Sequence, residues 1–535
     1  MSSVSYDPNG SNNQATVSTV VSGGLYSALP NLSSISPNLV QAGSSAFTLT
    51  VSGSGFNPSS TVNVNGTPLT TTYVSSSQLT ADVTPALVAN YGWAAVSVAN
   101  PAPGGGSSQL LPLTIYGVVN LLANDILFDP FTRQIYASVP SASTTLTGNS
   151  VVAVDPVSGN IGTPILVGSE PNVMAETADG TYLYIGLSGA NSLARLNLIT
   201  QSLETTYPLV QPPSTPVAAT WLSAMPGTDN SLAIDVSNNG AVGIFDITGT
   251  TGTFRSNFTG TYEGNFPTFA NATEFYTYDN ETTGAEFYRW NVAASGPSLI
   301  DDTTLDGMGG FSGSFKLANG IVYGGNGGII NPTTTPPLQL ATLSLLHGYG
   351  NGVEPDPATA RNFMISQNSA GQFSYTLIRY NTTQYAPEAW LPLPTTPNGG
   401  ELVFQIFRWG QDGLVLLAYD SNFGISPPTA QIVLLRGPFV LPAELTSQPA
   451  PSISSVSPAS IAVNSSNTTL TVTGSNFMPG AVALWGGQPR TTTYVDSAHV
   501  SVAIPAGDLK SARTVNVTAQ NPGSVSSNAV SLSIH

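Results

Sequence analysis

The chain has 535 residues, and its 41% hydrophobic content is enough to fill the cores of three or four globular domains. Only 8% of the residues are charged, and 29 acidic against 12 basic side chains give a net charge of −17, which makes phosphate backbones and anionic lipid poor partners. The absence of cysteine excludes disulfides, thiolate metal sites and cysteine nucleophiles.

The first 30 residues lack the basic segment and apolar run of an export signal, and no later stretch is long enough to span a membrane. We therefore expect a secreted or cell-surface protein whose export signal has been removed, without membrane insertion. The run "NNQATVSTVVSGG" alternates weakly, so residues 1–30 are expected to be a disordered leader. Alternatively, this segment adds as a strand to a neighbouring copy and builds a homo-oligomer or filament.

The pentapeptide "TTTYV" occurs at residues 70–74 and again at 491–495, and the flanking residues keep the same offset of 421 positions. Around it, runs such as "FTLTVSG" and "AAVSVAN" alternate apolar with hydroxyl side chains and are separated by Gly, Pro and Asn. This pattern predicts a small antiparallel sandwich. The sequence therefore predicts one such module at residues 31–116 and a duplicate at residues 448–535.

Both modules resemble the immunoglobulin-like IPT/TIG family in a Ser-Pro opening, a G-x-x-F turn in "TLTVSGSGFNP" and a late Asn-Pro. The resemblance implies an immunoglobulin-like sandwich at each end of the chain. Some members of that family bind DNA through basic loops, which this sequence lacks, so we expect no nucleic-acid partner. Trp485 takes the place held by Val64 in the other copy, which favours a core position over a sugar-stacking platform.

Residues 117–447 repeat a unit in which an apolar strand ends at an Asp or Asn that can close a turn through its side chain. The turn residues are Asp155, Asn197, Asp246, Asn291, Asn331 and Asn381. Their spacing, near 45 residues, is typical of a four-stranded propeller blade, and the segment has room for seven blades. Segments are expected to start near Asn124, Glu170, Pro216, Pro267, Phe311, Glu354 and Glu401. The predicted fold is all-β, a seven-bladed β-propeller flanked by two immunoglobulin-like sandwiches.

Two runs, "NSVVAVDPVSGNI" and "EPNVMAETADGTYLYIGL", resemble the seven-bladed propellers of the surface-layer and lactonase-like (YVTN-type) repeat family. The strand "LTIYGVVNL", residues 113–121, is predicted to leave the first sandwich and pair beside the last blade. Such pairing would remove the open edge of the ring.

Polar residues cluster where the innermost strands of the blades are expected to begin. Four carboxylates there, Asp125, Glu170, Glu354 and Glu401, are candidate metal ligands, accompanied by Asn124, Asn172 and Asp356. An acidic ring of this kind suits a hard divalent cation such as calcium. Because related lactonase-like propellers hold a metal in the channel, the resemblance implies a metal-assisted lactonase-like hydrolase or lyase, whereas the alternative is a solvated channel rim.

Aromatic residues concentrate in "EFYTYDNETTGAEFYRW" on two adjacent predicted strands. Tyr276, Tyr278, Tyr288 and Trp290 are candidate ligand-binding residues, because a flat stacking surface suits sugars; the alternative is packing between blades, which Phe275 and Phe287 would share. The propeller contains one histidine, His347, and the chain has no G-x-S-x-G elbow, so catalytic residues cannot be assigned.

The low charge, the lack of cysteine and the order sandwich, propeller, sandwich predict an exported bacterial protein that binds or adheres at a surface. Its expected partner is a polysaccharide or a cell-surface protein. The alternatives are the metal-assisted enzyme and a self-assembling filament or sheath subunit.

Overall fold

A computed structural model describes residues 27–535 except 103, 238–239, 280–285, 306–307, 309–313, 346–349, 368–373, 395–401, 411, 421–429, 442–450, 478–480, 497 and 521–525. Within these residues the protein is all-β, with short 3-10 helices at Pro85–Val88, Pro357–Thr359 and Ala506–Leu509. None of these described helices has the length or apolar character needed to cross a membrane.

The chain forms two compact units. Among the described residues, the first comprises those of 27–37, 45–87 and 94–113, and the second comprises those of 38–44, 88–93 and 114–535. The strands of the N-terminal part are β1 (Asn31–Ser36), β2 (Leu39–Gln41), β3 (Phe47–Ser54), β4 (Thr61–Val64), β5 (Thr67–Pro68), β6 (Thr71–Ser75), β7 (Gln78–Val83), β8 (Gly92–Asn100), β9 (Gly106–Ser107) and β10 (Leu111–Val119).

In the first unit, one sheet has the order β1-β3-β7-β6, and β5, β4, β8 and β9 pair in the second sheet. Leu49 and Val51 on β3 are fully buried, whereas the alternating Thr48 and Thr50 are not. The alternation seen in the sequence thus gives a half-buried strand. Residues 27–30, expected in a leader, belong to this sandwich instead, since Ser27 O accepts a hydrogen bond from Gly105 N at 2.7 Å. Residues 1–26 of the predicted leader lie outside the described part.

The second unit contains seven four-stranded antiparallel sheets, the blades, among its described residues. Blade 1 contains β11 (Asp125–Asp129), β12 (Gln134–Val139), β13 (Ser150–Val154) and β14 (Ile165–Leu166). Blade 2 contains β15 (Pro171–Glu176), β16 (Tyr182–Leu187), β17 (Ser192–Asn197) and β18 (Ser202–Pro208), and is followed by a hairpin of β19 (Val210–Gln211) and β20 (Thr215–Pro216). Blade 3 contains β21 (Ala219–Ala224), β22 (Ser231–Val236), β23 (Ala241–Thr248) and β24 (Thr251–Phe258).

The next three blades follow the same meander. Blade 4 contains β25 (Asn265–Asn271), β26 (Glu274–Tyr278), β27 (Glu286–Ala293) and β28 (Gly296–Thr304). Blade 5 contains β29 (Phe315–Ala318), β30 (Ile321–Gly324), β31 (Gly328–Asn331) and β32 (Leu338–Thr342). Blade 6 contains β33 (Gly350–Asp356), β34 (Arg361–Gln367), β35 (Tyr375–Asn381) and β36 (Ala386–Pro392).

Blade 7 contains β37 (Leu402–Trp409), β38 (Gly413–Asp420) and β39 (Ala430–Arg436), and takes its fourth strand from β10. The register pairs Gly117, Val118 and Val119 with Leu434, Val433 and Ile432. The predicted closure by residues 113–121 is therefore confirmed. The outermost strand of the last blade comes from a segment more than 280 residues earlier in the chain.

The first strand of each blade contacts the first strand of the next, and β37 of blade 7 contacts β11 of blade 1. These contacts form a closed ring in which the first strands are innermost, as in a β-propeller. Each blade begins within four residues of its expected start, and the predicted number of seven blades is confirmed.

The Asp and Asn side chains predicted to close turns do so in several blades. Asp155, Asn197, Asn331 and Asn381 each accept a hydrogen bond from the backbone N–H two residues later, at 2.8 to 3.0 Å. Asp246 differs, because its carboxylate pairs with Arg255 at 2.7 Å and accepts a hydrogen bond from Ser231. The prediction is wrong for Asp246 and Asn291, because β23 continues to Thr248 and β27 continues to Ala293, so the turns come after these residues.

The C-terminal sandwich repeats the N-terminal one. Its strands are β40 (Ser452–Ser457), β41 (Ser460–Ile461), β42 (Thr468–Ser475), β43 (Val482–Trp485), β44 (Gln488–Arg490), β45 (Thr492–Asp496), β46 (His499–Ile504), β47 (Arg513–Gln520) and β48 (Val530–Ile534). They form sheets of order β40-β42-β46-β45 and β41-β48-β47-β43-β44. Trp485 is 4% exposed within the core of this sandwich, which confirms its predicted core position.

The repeated pentapeptide has the same structural role in both modules. Thr71 Oγ1 accepts a hydrogen bond from Val62 N at 2.9 Å, and Thr492 Oγ1 accepts one from Ala483 N at the same distance. Each hydroxyl also donates to the carbonyl two residues before it. Threonine at this position satisfies a backbone N–H that would otherwise lack a partner, which accounts for its presence in both copies.

Candidate binding cleft at the propeller mouth

A cavity of about 260 Å³ opens between blades 3 and 4, where their innermost strands begin. Thr220 and Trp221 come from β21, Asp235 and Ser237 come from the end of β22 and the turn after it, and Asn265 and Phe266 begin β25. We call this cavity the blade 3–4 cleft. It lies on the face of the propeller where polar residues were predicted to cluster, but other residues form it.

Trp221 and Asp235 lie on one face of blade 3. They are paired residues of the antiparallel strands β21 and β22, so their side chains emerge on the same side of the sheet. The register shifts between Ala219 and Trp221, which leaves Thr220 as an extra residue. A bulge of this kind re-aims the side chains next to it. Thr220 Oγ1 donates a hydrogen bond to the carbonyl of Asp235 at 3.1 Å and ties the bulge to the neighbouring strand.

Phe266 forms the wall of the cleft that adjoins Trp221. Its φ of 57° lies in the left-handed region, which is unusual for a bulky residue, and the ladder between β25 and β26 shifts register across it. Its ring meets Trp221 edge-to-face, with centroids 4.9 Å apart and planes at 86°. Strained backbone conformations of this kind concentrate at functional sites.

The floor of the cleft is polar and buried. Asp235 is 5% exposed and Asn265 is 6% exposed. At the rim, Ser237 Oγ accepts a hydrogen bond from Ala218 N at 3.0 Å, which holds the turn after β22 against β21. Lys, Arg and His are absent from the described residues that line the cavity. The cleft thus combines two aromatic side chains with a carboxylate, an amide and two hydroxyls.

Asp125, a predicted metal ligand, connects two blades instead. It is 7% exposed, and its Oδ2 accepts a hydrogen bond from Met174 N in blade 2 at 2.6 Å. Burial raises its pKa to about 7, against opposing hydrogen bonds from Gln405 and from the Met174 and Ile126 backbone. Its oxygens are therefore used to join innermost strands.

Glu354, the second predicted ligand, has a similar role. Its Oε1 accepts a hydrogen bond from Arg408 N in blade 7 at 2.9 Å, and its Oε2 pairs with the ammonium of Lys316 from blade 5. Lys316 also donates to the carbonyl of Ile406 at 2.6 Å and lies 3.9 Å from the centroid of the Phe407 ring. A lysine thus neutralises the carboxylate that was expected to bind a cation. Asp356 is paired with Arg408 at 2.9 Å.

The remaining polar residues predicted at the channel mouth are also engaged. Glu170 Oε1 accepts a hydrogen bond from Ser141 Oγ, and Glu401 lies outside the described residues. Asn124 donates to Pro171 O and Asn172 donates to Ala219 O, each to the next blade and each at 2.8 Å. In the described part of the chain, no three His, Asp or Glu residues come together in a way that could hold a metal ion. The oxygens of Asp125 and Glu354 thus form contacts between blades, and a cation ring at the channel mouth stays a prediction.

The aromatic candidates of blade 4 lie in the core. Tyr276 and Tyr278 are at most 3% exposed and pack with Phe287 against blade 5, whereas Trp290, also 3% exposed, packs with Phe275 against blade 3. Tyr288 is partly buried and stacks on Trp290, with centroids 5.9 Å apart. Alternate side chains of β26 and β27 thus fill the two seams on either side of the blade, as in the alternative of packing between blades. His347 lies outside the described residues.

Sequence reasoning missed Trp221 and Phe266. Phe266 stands directly before Pro267, which was taken as the start of a blade, and Trp221 follows the expected start at Pro216 by five residues. Large aromatic residues at the beginning of two consecutive innermost strands were the available signal. The metal-site hypothesis depended on carboxylates, and neither of these two blade starts was expected to carry one.

The model of the IPT/TIG domain family matches residues 30–115 and 451–534. None of the curated proteins matches the chain. Among solved structures, a fungal alcohol oxidase of the AA5 family in complex with copper is 12% identical, with a TM-score of 0.48, covering 78% of this chain and 98% of its own. The β-propeller domain of Cps50 (Swd1) from Myceliophteria thermophila is 10% identical, with a TM-score of 0.44, covering 60% of this chain and 98% of its own.

Hydrazine synthase from Kuenenia stuttgartiensis is 12% identical, with a TM-score of 0.39, covering 59% of this chain and 95% of its own. Such distant likenesses do not bear on what this chain binds. The family match lies outside the blades, so kinship with the surface-layer and lactonase-like repeats stays a prediction. The chain carries an IPT/TIG domain at each end of a seven-bladed β-propeller.

Proposed function

We propose that the chain is an exported, cell-surface or extracellular binding protein in which the propeller recognises the ligand and the two IPT/TIG domains are spacers. IPT/TIG domains are common in extracellular binding proteins, which supports this assignment. The observation that carries the proposal is the blade 3–4 cleft, a concave site with two aromatic walls and a polar floor. Concave sites with a few placed polar groups are where proteins bind small ligands and ligand ends.

The scaffold around the cleft is suited to binding with little ordering of the protein. Trp221 and Asp235 lie on hydrogen-bonded strands, and Asn172 of blade 2 anchors the start of β21 through the carbonyl of Ala219. A preformed site avoids the loss of side-chain and loop entropy that otherwise weakens association. The ligand-bound and ligand-free forms should therefore differ little in backbone conformation.

The low charge of the chain makes a specific prediction about how binding depends on salt. With 8% charged residues and no cationic side chain described at the cleft, attraction between charges contributes little to binding. Affinity should therefore change by less than about twofold between low and high salt, unlike that of a protein that binds through charged patches.

The test uses the full chain, labelled and titrated onto intact cells, isolated cell walls and extracellular polysaccharide at two salt concentrations. We expect saturable binding that unlabelled protein displaces and that salt leaves unchanged. Fractionation of cells that make the protein naturally should recover it at the surface or in the medium. Recovery of the protein from the cytoplasm alone, or the absence of saturable binding to every fraction, would overturn the proposal.

A further inference from the structure

We infer that the blade 3–4 cleft binds an uncharged sugar residue, held against Trp221 and hydrogen-bonded at the floor by Asp235 and Asn265. This inference rests on the proposed binding function and names its ligand class. Within the part of the chain that the structure describes, the cleft combines a cavity with both polar and aromatic walls.

The aromatic pair provides the apolar half of the recognition. Trp221 and Phe266 are both partly buried and meet at 86°, so the two rings form a corner beside the cavity. A pyranose ring has an apolar face of C–H groups that packs on an aromatic ring, and Trp offers the largest such surface. The left-handed backbone of Phe266 holds this corner in place at the cost of local strain.

The polar floor provides the other half. The carboxylate of Asp235 accepts hydrogen bonds only, whereas the amide of Asn265 both donates and accepts. Hydroxyl groups of a sugar also donate and accept, and therefore match this mixture of atoms. The Thr220 and Ser237 hydroxyls line the same cavity and extend the set of polar groups.

The charge of the cleft and the volume of its cavity limit which sugars can bind. A carboxylate at the floor, no described cationic side chain in the lining and a net charge of −17 all disfavour phosphorylated, sulfated or uronic acid sugars. The volume of about 260 Å³ lies just below the roughly 300–1,000 Å³ of sites for drug-sized ligands. The cleft therefore has room for one residue or a chain end rather than a long segment of polysaccharide.

The test measures binding of uncharged gluco-, manno-, galacto- and chito-oligosaccharides to the full chain, by saturation-transfer NMR and calorimetry. Trp221→Ala should weaken binding of the best oligosaccharide by about tenfold or more, because a buried aromatic contact at the centre of a site carries much of the affinity. Asp235→Asn keeps the shape of the floor and should also weaken binding. The matched control is Trp390→Ala, which removes a tryptophan that is 59% exposed on an outer strand and should leave affinity unchanged.

The outcomes separate the inference from the proposed function. If the wild type binds cell-wall fractions but no uncharged oligosaccharide, and Trp221→Ala binds those fractions equally well, the inference is overturned and the binding function stands. Tight binding of tetramethylammonium or a sulfated sugar, lost in Trp221→Ala, would overturn the assigned ligand class. If no fraction and no sugar binds, both proposals fail. Circular dichroism of each variant confirms that a loss of binding is not a loss of fold.

Discussion

Asp125 in blade 1 accepts a hydrogen bond from the backbone N–H of Met174 in blade 2, at 2.6 Å between Oδ2 and N. The same arrangement occurs at two other joints of the ring. Glu354 in blade 6 accepts from Arg408 N in blade 7, and Gln405 in blade 7 accepts from Ile126 N in blade 1. Three consecutive joints, including the one that closes the ring, are thus held by a side-chain acceptor that binds the next innermost strand.

Asp125→Asn should make the propeller more stable at neutral and alkaline pH. Burial raises the pKa of Asp125 from 3.8 in the unfolded chain to about 7, so the folded protein holds a proton that the unfolded chain loses. This carboxyl group therefore lowers stability progressively as pH rises from about 4 to about 7. Asparagine keeps an acceptor for Met174 N, and the gain above pH 7 should be on the order of 2 kcal/mol.

Denaturant titrations of both proteins at pH 4 and pH 8 measure this difference. The two should differ least at pH 4, where the folded protein holds Asp125 neutral and the unfolded chain has ionised this group only in part. Asp302→Asn, on an exposed position of blade 4, is the control and should show no pH-dependent gain. A variant that is less stable than the wild type at pH 8 would mean that Asp125 binds Met174 as a stabilising anion.

Glu176→Gln should also stabilise the folded protein at neutral and alkaline pH, and by more than Asp125→Asn does. Burial, the nearby Asp129 and then Asp179 raise the pKa of Glu176 to about 10, so its stabilising contribution is present in acid and lost as pH rises from about 4.5 towards 10. Glutamine is neutral throughout, so the free energy of unfolding of the variant should exceed that of the wild type by more than about 2 kcal/mol at pH 8.

Thermal unfolding at pH 4.5 and pH 8.5 tests this prediction, with Glu204→Gln as the comparison. Glu204 pairs with Arg195 at 2.9 Å on an outer strand, so its loss should cost a little stability or none. Equal melting temperatures for Glu176→Gln and the wild type at pH 8.5 would contradict a buried, protonated glutamic acid.

Lys316→Met should destabilise the ring at neutral pH. The change leaves the carboxylate of Glu354, 13% exposed, without its ammonium partner, and removes a donor from Ile406 O. Because Lys316 itself is 31% exposed, solvent screens part of the attraction between the two charges. The free energy of unfolding should therefore fall by about 1–2 kcal/mol. Lys316→Met combined with Glu354→Gln should recover part of the loss, since no uncompensated charge remains.

The measurement is a double-mutant cycle by chemical denaturation at pH 7.5. The interaction energy between the two positions should be positive. Strict additivity at pH 7.5 would show that the two side chains do not stabilise each other.

Val119→Asp should disrupt the closure of the propeller. Val119 is 8% exposed and packs in the core between blades 7 and 1, so a carboxylate there would be buried without a partner. We expect a loss on the order of 3 kcal/mol and faster hydrogen exchange in β39 and β11. Asn120→Asp, one residue later on an exposed position, introduces the same charge and should be nearly neutral. Equal stability of the two variants would place β10 outside the propeller core.

Local patterns in the sequence were sufficient to predict the blades, the turns and both sandwiches. Alternation of apolar and hydroxyl residues depends only on a strand having one buried face, and an Asx turn involves atoms two residues apart. The closing strand was also predictable, because an unpaired sheet edge in a ring requires a partner. The ion pair of Asp246 was not predictable from local patterns, because its partner Arg255 lies on the neighbouring strand β24.

The candidate site was not predictable by the same reasoning. Asp125, Glu354 and the blade 4 tyrosines have the residue types of a functional site, but their neighbours across the blade joints determine their roles. Trp221 and Phe266 share only their place at the beginning of two consecutive innermost strands, and a bulge in β21 and a left-handed residue in β25 bring them together.

The sequence by itself determined the duplicated sandwiches, the period of the blades and their number, because each follows from contacts made within one repeat. Only the tertiary structure decided which side chains face a cavity and which join two blades. The role of a side chain depends on how neighbouring repeats pack together. The same acidic or aromatic residue can be buried against the next blade or can line a cavity. The cleft between blades 3 and 4 is such a product of neighbouring repeats.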